Sequence, residues 1–504
     1  MLNQGLGSWP ARRARRTPES VAVIYGDDSY TYAQLAAHSH GVARFLVEQG
    51  IHHGDRVAFL GPNQPGFLTT LFGAGQVGAV FVPLNTRLAD AELGFLLDDS
   101  GATLLVYDSR YGENAHALAA DRPGLRTVDV ADFDALTASE PVRKPVVLDD
   151  VALILYTSGT TGRPKGALLT HGNLTWNSVN VVIDIDLCGT DVALLSAPLF
   201  HTAALGMACL PTLLKGGTVV LENKFDVERS FDLIERHRIT FLAGVPTMFE
   251  ALARSPRWPG ANLSSLRFLL CGGAPLTAEL IERYQARNLP LMQGYGLTEA
   301  APSVLMQSPG DGVEHAGAAG APAFFTDVRL RTPDGRPAAV DEPGELEVFG
   351  PNVVSEYWRR PDVSPLNEDG WLCTGDVAVV DEIGDYRIID RLKDMFISGG
   401  ENVYPAEVEA ALRDHPGVVD VAVIGMPDPV WGEVGKALVV AEPGLTADEL
   451  RNFARAHLGK YKIPKVVVFV DGLPRNPTGK VDKQALRRRE GAPDRTPEVP
   501  AART

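Results

Sequence analysis

Val151-Ala152-Leu153-Ile154-Leu155-Tyr156 runs without a break into Thr157-Ser158-Gly159-Thr160-Thr161-Gly162-Arg163-Pro164-Lys165-Gly166. The first six residues are an apolar run of strand length, as expected of a strand buried on both faces of a mostly parallel sheet. The next ten hold four hydroxyl residues and three glycines. With so little side-chain bulk, backbone N–H groups and hydroxyls can close around an anion. Lys165 adds a point charge. A floppy surface loop would not need a core strand to deliver it, so the stretch reads as a phosphate cradle on an α/β scaffold. It is not the loop of the P-loop NTPases, which needs Gly-Lys-Ser/Thr opening a helix. Here Lys165 follows Pro164 and precedes Gly166. The GxGxxG dinucleotide fingerprint is also missing, so kinase, GTPase and dehydrogenase readings lose their main support.

Outward from this loop the same grammar repeats. VAVIYG, DRVAFLG, AVFVPL and TLLVYD alternate with helix-like stretches such as YAQLAAHSHGVARFLVEQG and FLTTLFGAGQVG. After the loop DVALLSAP, GGTVVLE, SFDLIERHRITFLAG and SLRFLLCGG continue it. Strands alternating with helices imply βαβ units. From about Gly320 the texture changes to short strands with Gly and Pro turns, an expected barrel-like subdomain. From Arg391 a compact α+β piece of about a hundred residues follows, with helices in PAEVEAALRDHP and TADELRNFARAHL. The expected fold class is therefore α/β: a large N-terminal domain over 1–390, a small mobile α+β lid over 391–490, and a disordered Pro- and charge-rich tail over 491–504.

The chain has 504 residues, 45% of them hydrophobic, and a net charge of −16. That acidity argues against a nucleic-acid partner. It is unevenly spread: 17 Lys and Arg face 16 Asp and Glu from Arg391 onward, so the remainder carries −17. A near-neutral terminal piece suits a unit that handles phosphates, or reflects simple drift in surface composition. Cys188, Cys209, Cys271 and Cys373 form no CxxC pair or disulfide framework, from which a reducing, cytoplasmic compartment is expected. No apolar run reaches the roughly 20 residues of a membrane span, and no secretory signal follows Arg12, Arg13, Arg15 and Arg16. Those arginines either form a solvated helix face or touch acidic lipid.

Four further motifs stand in order: Gly294-Tyr295-Gly296-Leu297-Thr298-Glu299, Thr374-Gly375-Asp376, Asp390-Arg391-Leu392-Lys393-Asp394 and Pro477-Thr478-Gly479-Lys480. With the Thr157–Gly166 loop they make the chain resemble the adenylate-forming superfamily of acyl-CoA synthetases, adenylation domains and luciferases, from about Ser20 to Arg488. Within it the chain looks most like a fatty-acid–CoA ligase. Glu299 is a carboxylate that can hold Mg²⁺ against ATP phosphates, and the resemblance puts the Thr157 hydroxyl near that metal. It implies that Thr157, Ser158, Gly159, Thr160, Thr161, Gly162 and Lys165 cradle the phosphates. Tyr295 offers a flat face for adenine within the turn Gly294–Thr298. Gly272, Gly273, Ala274 and Pro275 leave space for the purine. Asp376 can accept from both ribose hydroxyls, and Arg391 would touch the ribose or phosphate side.

The resemblance further implies two half-reactions, with ATP, Mg²⁺ and coenzyme A. A carboxylate attacks the α-phosphorus to give an acyl-adenylate, aided by Lys165 and Lys480; a thiol then attacks the acyl carbon. Lys393 is the implied hinge, and Ser398, Gly399 and Gly400 the implied passage for pantetheine. Lys462, with Lys460 and Lys465, either meets CoA phosphates or is an ordinary solvated charge run. The acyl wall falls on His201, Ala203, Ala204, Gly206, Met207, Val245, Met248, Ala300, Ala301 and Ser303. These are small or apolar, with no Arg or Lys, so a dicarboxylate would leave a charge unpaired. A medium- or long-chain acid is expected, with an aryl acid as runner-up. His201 gates the pocket, orients the carboxylate, or simply packs. A carrier-protein thiol in place of CoA, and a nucleotide-binding protein without activity, are the competing classes. A small-molecule acid is the expected partner, and a homodimer is left open.

Overall fold

The computed structural model describes residues 3–157, 164–392, 394–398, 401–476 and 479–492; side chains at 401, 402, 456 and 457 are not described. Two compact units result. The first is Met1–Val328 with Glu347–Cys373 and Ile383–Tyr386; the second is Arg329–Leu346, Thr374–Glu382 and Arg387–Thr504. The fold is α/β with a large N-terminal and a small C-terminal body, as the alternating grammar implies.

The first unit is built on two sheets. One has six strands in the order Arg126–Asp129, Leu104–Tyr107, Arg56–Leu60, Val80–Leu84, Val151–Thr157 and Lys165–Thr170. It is parallel except for the last pair, a hairpin in which Thr157 lies opposite Lys165. The other has nine strands, and six of them run parallel: Leu291–Gly296, Phe268–Gly272, Phe241–Gly244, Val192–Leu195, Thr218–Leu221 and Val21–Tyr25. Both sheets and the helices Tyr32–Glu48, Pro65–Val77 and His171–Asp184 feed one continuous apolar core, with Val57, Phe81, Leu195, Val219 and Phe241 fully enclosed. The first helix starts at a capping box, Thr31 taking the Gln34 N–H while Gln34 returns to the Thr31 N–H, a device worth about 1 kcal/mol. Among the described residues no helix is long and apolar enough to cross a membrane.

The change of texture after Gly320 is a four-stranded sheet, Asp327–Arg331, Gly344–Phe349, Leu372–Val380 and Tyr386–Arg391 in that order. The second unit adds a sheet ordered Glu401–Val403, Phe396–Ser398, Gly432–Ala441 and Val418–Asp428, with Val466–Phe469 parallel to Gly432–Ala441. Helices Pro405–Arg413 and Ala447–His457 bury Val408, Leu412, Leu450 and Ala454 against it. The stretches 329–346 and 374–382 group with this later chain: Asp341 N–H donates to Val380 O at 2.8 Å, joining the two stretches, and Leu392 N–H donates to Gly375 O at 2.8 Å, tying the second of them to the later chain. The compact units therefore do not part at a single point between residues 390 and 391.

Candidate active site

Four adjacent parallel strands of the large sheet end at Leu195, Gly244, Gly272 and Gly296. His201, Val245 and Gly273–Pro275 follow the first three ends, and Tyr295 is the penultimate residue of the fourth. Residues far apart in sequence thus gather at the carboxyl ends of parallel strands, where open α/β sheets place ligands. Gly272 lies directly across from Gly294. Gly273 takes a left-handed φ of +87°, which glycine adopts without penalty, and with Ala274 and Pro275 it forms an exposed, nearly side-chain-free ledge.

The segment from Gly294 folds back on itself. Leu297 N–H donates to Pro302 O at 3.1 Å and Ala300 N–H to Leu297 O at 2.9 Å. A Cβ at Gly296 would lie 1.9 Å from Pro302 O, so backbone approach alone demands glycine there. Ala301 sits at a φ of +66° before a cis Pro302. Two buried amides brace the turn. Asn352 donates to Ala300 O and Ser303 O, each at 2.8 Å. Asn177 accepts from Ser303 N–H and donates to Gly206 O. Thr298 Oγ1 meets Thr202 Oγ1 at 3.4 Å.

This turn projects Glu299 toward the hairpin of the other sheet. Glu299 Oε1 lies 3.5 Å from Thr157 Oγ1 and accepts the Tyr357 hydroxyl at 3.0 Å. Lys165 Nζ stands 5.1 Å from the Tyr357 ring centre, a cation–π contact. Burial, then the Glu299 charge, pushes the Tyr357 hydroxyl well above the usual phenol range, so it stays a donor. Tyr357 is the residue that motif reasoning missed; SEYWRRPD carries no signal for it. One carboxylate flanked by a hydroxyl is the hard-oxygen donor set from which Mg²⁺ takes one or two ligands, leaving the rest to water and phosphate. Among the described residues no larger His, Cys, Asp and Glu cluster could hold a metal. Ser158, Gly159, Thr160, Thr161 and Gly162 lie outside the described residues.

The acyl-wall residues divide. Ala204, Gly206, Ala300, Ala301 and Ser303 are buried. The space a Cβ would need at Gly206 is already taken by Ala301 O at 2.5 Å. Smallness there serves close packing, which corrects the expectation that Gly206 opens a slot. Ala203 and Val245 are exposed, and Met207 and Met248 are half-buried. The His201 ring stacks edge-on against Phe200 at 4.8 Å. Burial, followed by the charge of Arg87, presses its imidazole down to about 4.

In the second unit, Asp376 is buried on Leu372–Val380, its N–H donating to Thr374 Oγ1 at 3.0 Å. Arg391 Nε pairs with Asp376 Oδ1 at 3.1 Å. Burial, and then the charge of Arg391, hold the Lys480 ammonium below the usual lysine range, with Asp376 opposing. So Asp376, Arg391 and Lys480, spread over about a hundred residues, share one electrostatic neighbourhood. The acids flanking Arg391 are anchors. Asp390 accepts Ala406 N–H at 2.7 Å, and Asp394 pairs with buried Arg487 at 2.7 Å. Ser398 is buried. Lys462 is held by Glu407 at 2.5 Å and Lys465 by Asp428 at 3.2 Å, so these two lysines of the cluster are already charge-paired. Lys393, Gly399 and Gly400 lie outside the described residues.

The description "AMP-binding enzyme" matches residues 10–358, and "AMP-binding enzyme C-terminal domain" matches 407–480. A feruloyl-CoA synthase from Amycolatopsis sp is 54% identical over 97% of this chain and 100% of its own. The long-chain-fatty-acid–CoA ligase FadD13 of Mycobacterium tuberculosis is 39% identical over 97% of this chain and 99% of its own. The solved structure of o-succinylbenzoate coenzyme A synthetase from Bacillus subtilis with ATP and magnesium superposes with a TM-score of 0.87 at 34% identity, covering 95% of this chain and 99% of that one.

Proposed function

The chain belongs to the AMP-binding enzyme family of ATP-dependent acyl-CoA ligases, and on that premise we propose that its acid is a compact aryl carboxylate. The observation that carries this is the filled space beside Gly206. Gly206, one of the small residues on which a long aliphatic slot would depend, is used up in packing. Met207, Val245, Met248 and the His201 ring remain as an adaptable apolar wall, suited to an aromatic body. The 54% identity to a feruloyl-CoA synthase supports the same choice. The fatty-acid reading keeps one support, the 39% identity to a long-chain ligase.

In the first half-reaction a carboxylate oxygen of the acid bonds to the α-phosphorus of ATP and the bond to pyrophosphate breaks, giving a mixed anhydride. Two anions must meet, so the task is alignment and charge neutralisation. Lys165 supplies charge from the hairpin and Lys480 from the loop that follows Pro477 and Gly479. Asp376 accepts from the ribose hydroxyls. Tyr295 and the ledge from Gly272 to Pro275 hold adenine. Mg²⁺ at Glu299 and Thr157 would neutralise phosphate charge. His201 is neutral near pH 7 and can offer the acid one N–H, not a cation. In the second half-reaction the thiol of CoA gives up its proton to solvent, its sulfur bonds to the acyl carbon, and the bond from that carbon to the phosphate oxygen breaks as AMP leaves. Ser398, Gly399 and Gly400 are assigned to the pantetheine chain, Lys393 to the hinge and Lys462 to CoA phosphate once released from Glu407.

Pyrophosphate exchange and thioester formation with ferulate, decanoate, acetate and malonate test the reading. Ferulate should exceed decanoate in kcat/KM by at least about tenfold, an ordinary margin for a misfitted apolar group. Decanoate as the better acid would overturn the aryl assignment, and exchange with no acid at all would overturn the family chemistry.

A further inference from the structure

Tyr357 stands between two groups of opposite charge and touches both. Its hydroxyl donates to Glu299 Oε1 at 3.0 Å, and Lys165 Nζ lies 5.1 Å from the centre of its ring. Backbone fixes where it stands. Val354 N–H donates to Glu299 O at 2.8 Å, and Tyr357 bridges Ala167 in antiparallel register. On either side of that bridge Leu168 N–H donates to Glu356 O at 3.3 Å and Trp358 N–H to Gly166 O at 2.7 Å. The stretch 354–358 is thus tied at one end to the turn that carries Glu299 and at the other to the strand that carries Lys165. The next side chain is anchored as well, Trp358 Nε1 donating to Asp99 O at 2.8 Å.

The hairpin starts the Lys165 side chain close to that carboxylate. Thr157 and Lys165 are direct partners in an antiparallel pair, so their side chains leave one face about 5 Å apart. Thr157 Oγ1 is 3.5 Å from Glu299 Oε1, and a flexible four-carbon stem can span that offset. An ammonium and a carboxylate within such reach attract each other. Pairing would spend both, the carboxylate's charge being lost to a metal and the ammonium's to a phosphate. Yet among the described residues Lys165 enters no ion pair, and the second carboxylate oxygen, Oε2, takes no hydrogen bond. Tyr357 meets each charge with a neutral group instead, a phenol O–H for one oxygen and a ring face for the ammonium.

We propose that Tyr357 is a positioning residue that keeps Glu299 and Lys165 from pairing, leaving one carboxylate oxygen for Mg²⁺ and the ammonium for ATP phosphate. The role rests on the reading that Glu299 and Thr157 hold Mg²⁺, and not on the choice of acid. Hydroxyl and ring divide the task, so two replacements separate them. Tyr357→Phe releases Glu299 but keeps the ring between the charges; Tyr357→Leu removes both, and the two charges then pair.

Calorimetric binding of α,β-methylene-ATP to the full chain, in Mg²⁺ and in EDTA, reads both effects without turnover. In Tyr357→Phe the ratio of the two affinities should fall by about tenfold, the lower end of what losing a hydrogen bond to a metal-ligating group costs, with affinity in EDTA unchanged. In Tyr357→Leu the ratio should fall as far, and affinity in EDTA should drop by about tenfold as well, the scale of one charge-assisted phosphate contact. Against a Lys165→Met background Tyr357→Leu should cost nothing further in EDTA, a coupling that lost packing alone would not produce. Melting temperatures check that each variant folds, and Glu299→Gln serves as the reference for the metal. An unchanged ratio in Tyr357→Phe beside a lowered one in Glu299→Gln would overturn the role of Tyr357 and leave the metal reading standing. Unchanged ratios in both would overturn the metal reading and the proposal with it. Wild-type affinity of Tyr357→Leu in EDTA would overturn the separation of charges.

Discussion

His201 shows how far a single residue's chemistry follows from its surroundings. Its identity in Phe200-His201 marks a position, but orienting, gating and packing roles are indistinguishable in the sequence. Burial and the Arg87 charge then press its imidazole down to about 4, so the cationic form is unavailable near neutrality. The sign follows from linkage. A histidine with a depressed folded pKa contributes stability fully above its unfolded value of about 6.5, and loses it as pH falls toward 4. Wild-type melting temperature should therefore fall more steeply between pH 6.5 and 4 than that of His201→Gln, which has no proton to gain there. A parallel fall in both would place the acid sensitivity elsewhere, with buried His171, also pressed to about 4 by burial, as the next group to replace. Tyr357 marks the opposite limit. Its contacts with Glu299 and Lys165 depend on chain crossings that no local pattern encodes, and so it was invisible before the fold was known.

At the scale of elements, the sequence was most legible where one physical rule dominates. Apolar runs such as VALILY and FLLC became parallel strands, and strand ends collected His201, Val245, Gly273 and Tyr295 as sheet topology requires. The reasons behind individual motif residues were less legible. Gly296 looks like a nucleotide-binding glycine, yet its constraint is the Pro302 carbonyl 1.9 Å from where a Cβ would stand. Gly206 looks like open space and is packed shut by Ala301. Composition reveals that a residue is small; only the neighbours reveal what the smallness admits. Gly296→Ala should thus force backbone to move in the turn that carries Tyr295 and Glu299, costing about 1–3 kcal/mol and impairing adenylate formation together with stability. Gly124, where a Cβ would meet nothing within 4 Å and φ is not positive, supplies the control: Gly124→Ala should leave both unchanged in thermal melts and exchange assays. Equal behaviour of the two variants would remove the close approach as the reason for that glycine.

Across the whole molecule, the motifs order themselves by unit. The first unit holds the hairpin, the ledge and the Glu299 turn; the second holds Asp376, Arg391 and Lys480. The boundary suggested by Arg391-Leu392-Lys393-Asp394 follows a motif, whereas the compact units also place 329–346 and 374–382 with the later chain. Within that second unit two segments are proposed to carry distinct chemistry. Lys480 shares an electrostatic neighbourhood with Asp376 and Arg391, the residues assigned to the ribose and to the ribose or phosphate side, so its charge is suited to the step in which the carboxylate meets ATP. Ser398 ends the strand Phe396–Ser398, and with Gly399 and Gly400, which lie outside the described residues, it is assigned to the thiol step. Lys480→Ala removes the ammonium only from the first step. It should abolish acid-dependent pyrophosphate exchange while leaving CoA transfer from supplied acyl-adenylate near the wild-type rate. Gly400→Trp, which adds bulk only to the thiol segment, should preserve exchange and stop transfer. Single-turnover assays of the two half-reactions separate these outcomes. Loss of the same half-reaction in both variants would mean that the two segments serve one step, and the division of labour within the second unit would have to be abandoned.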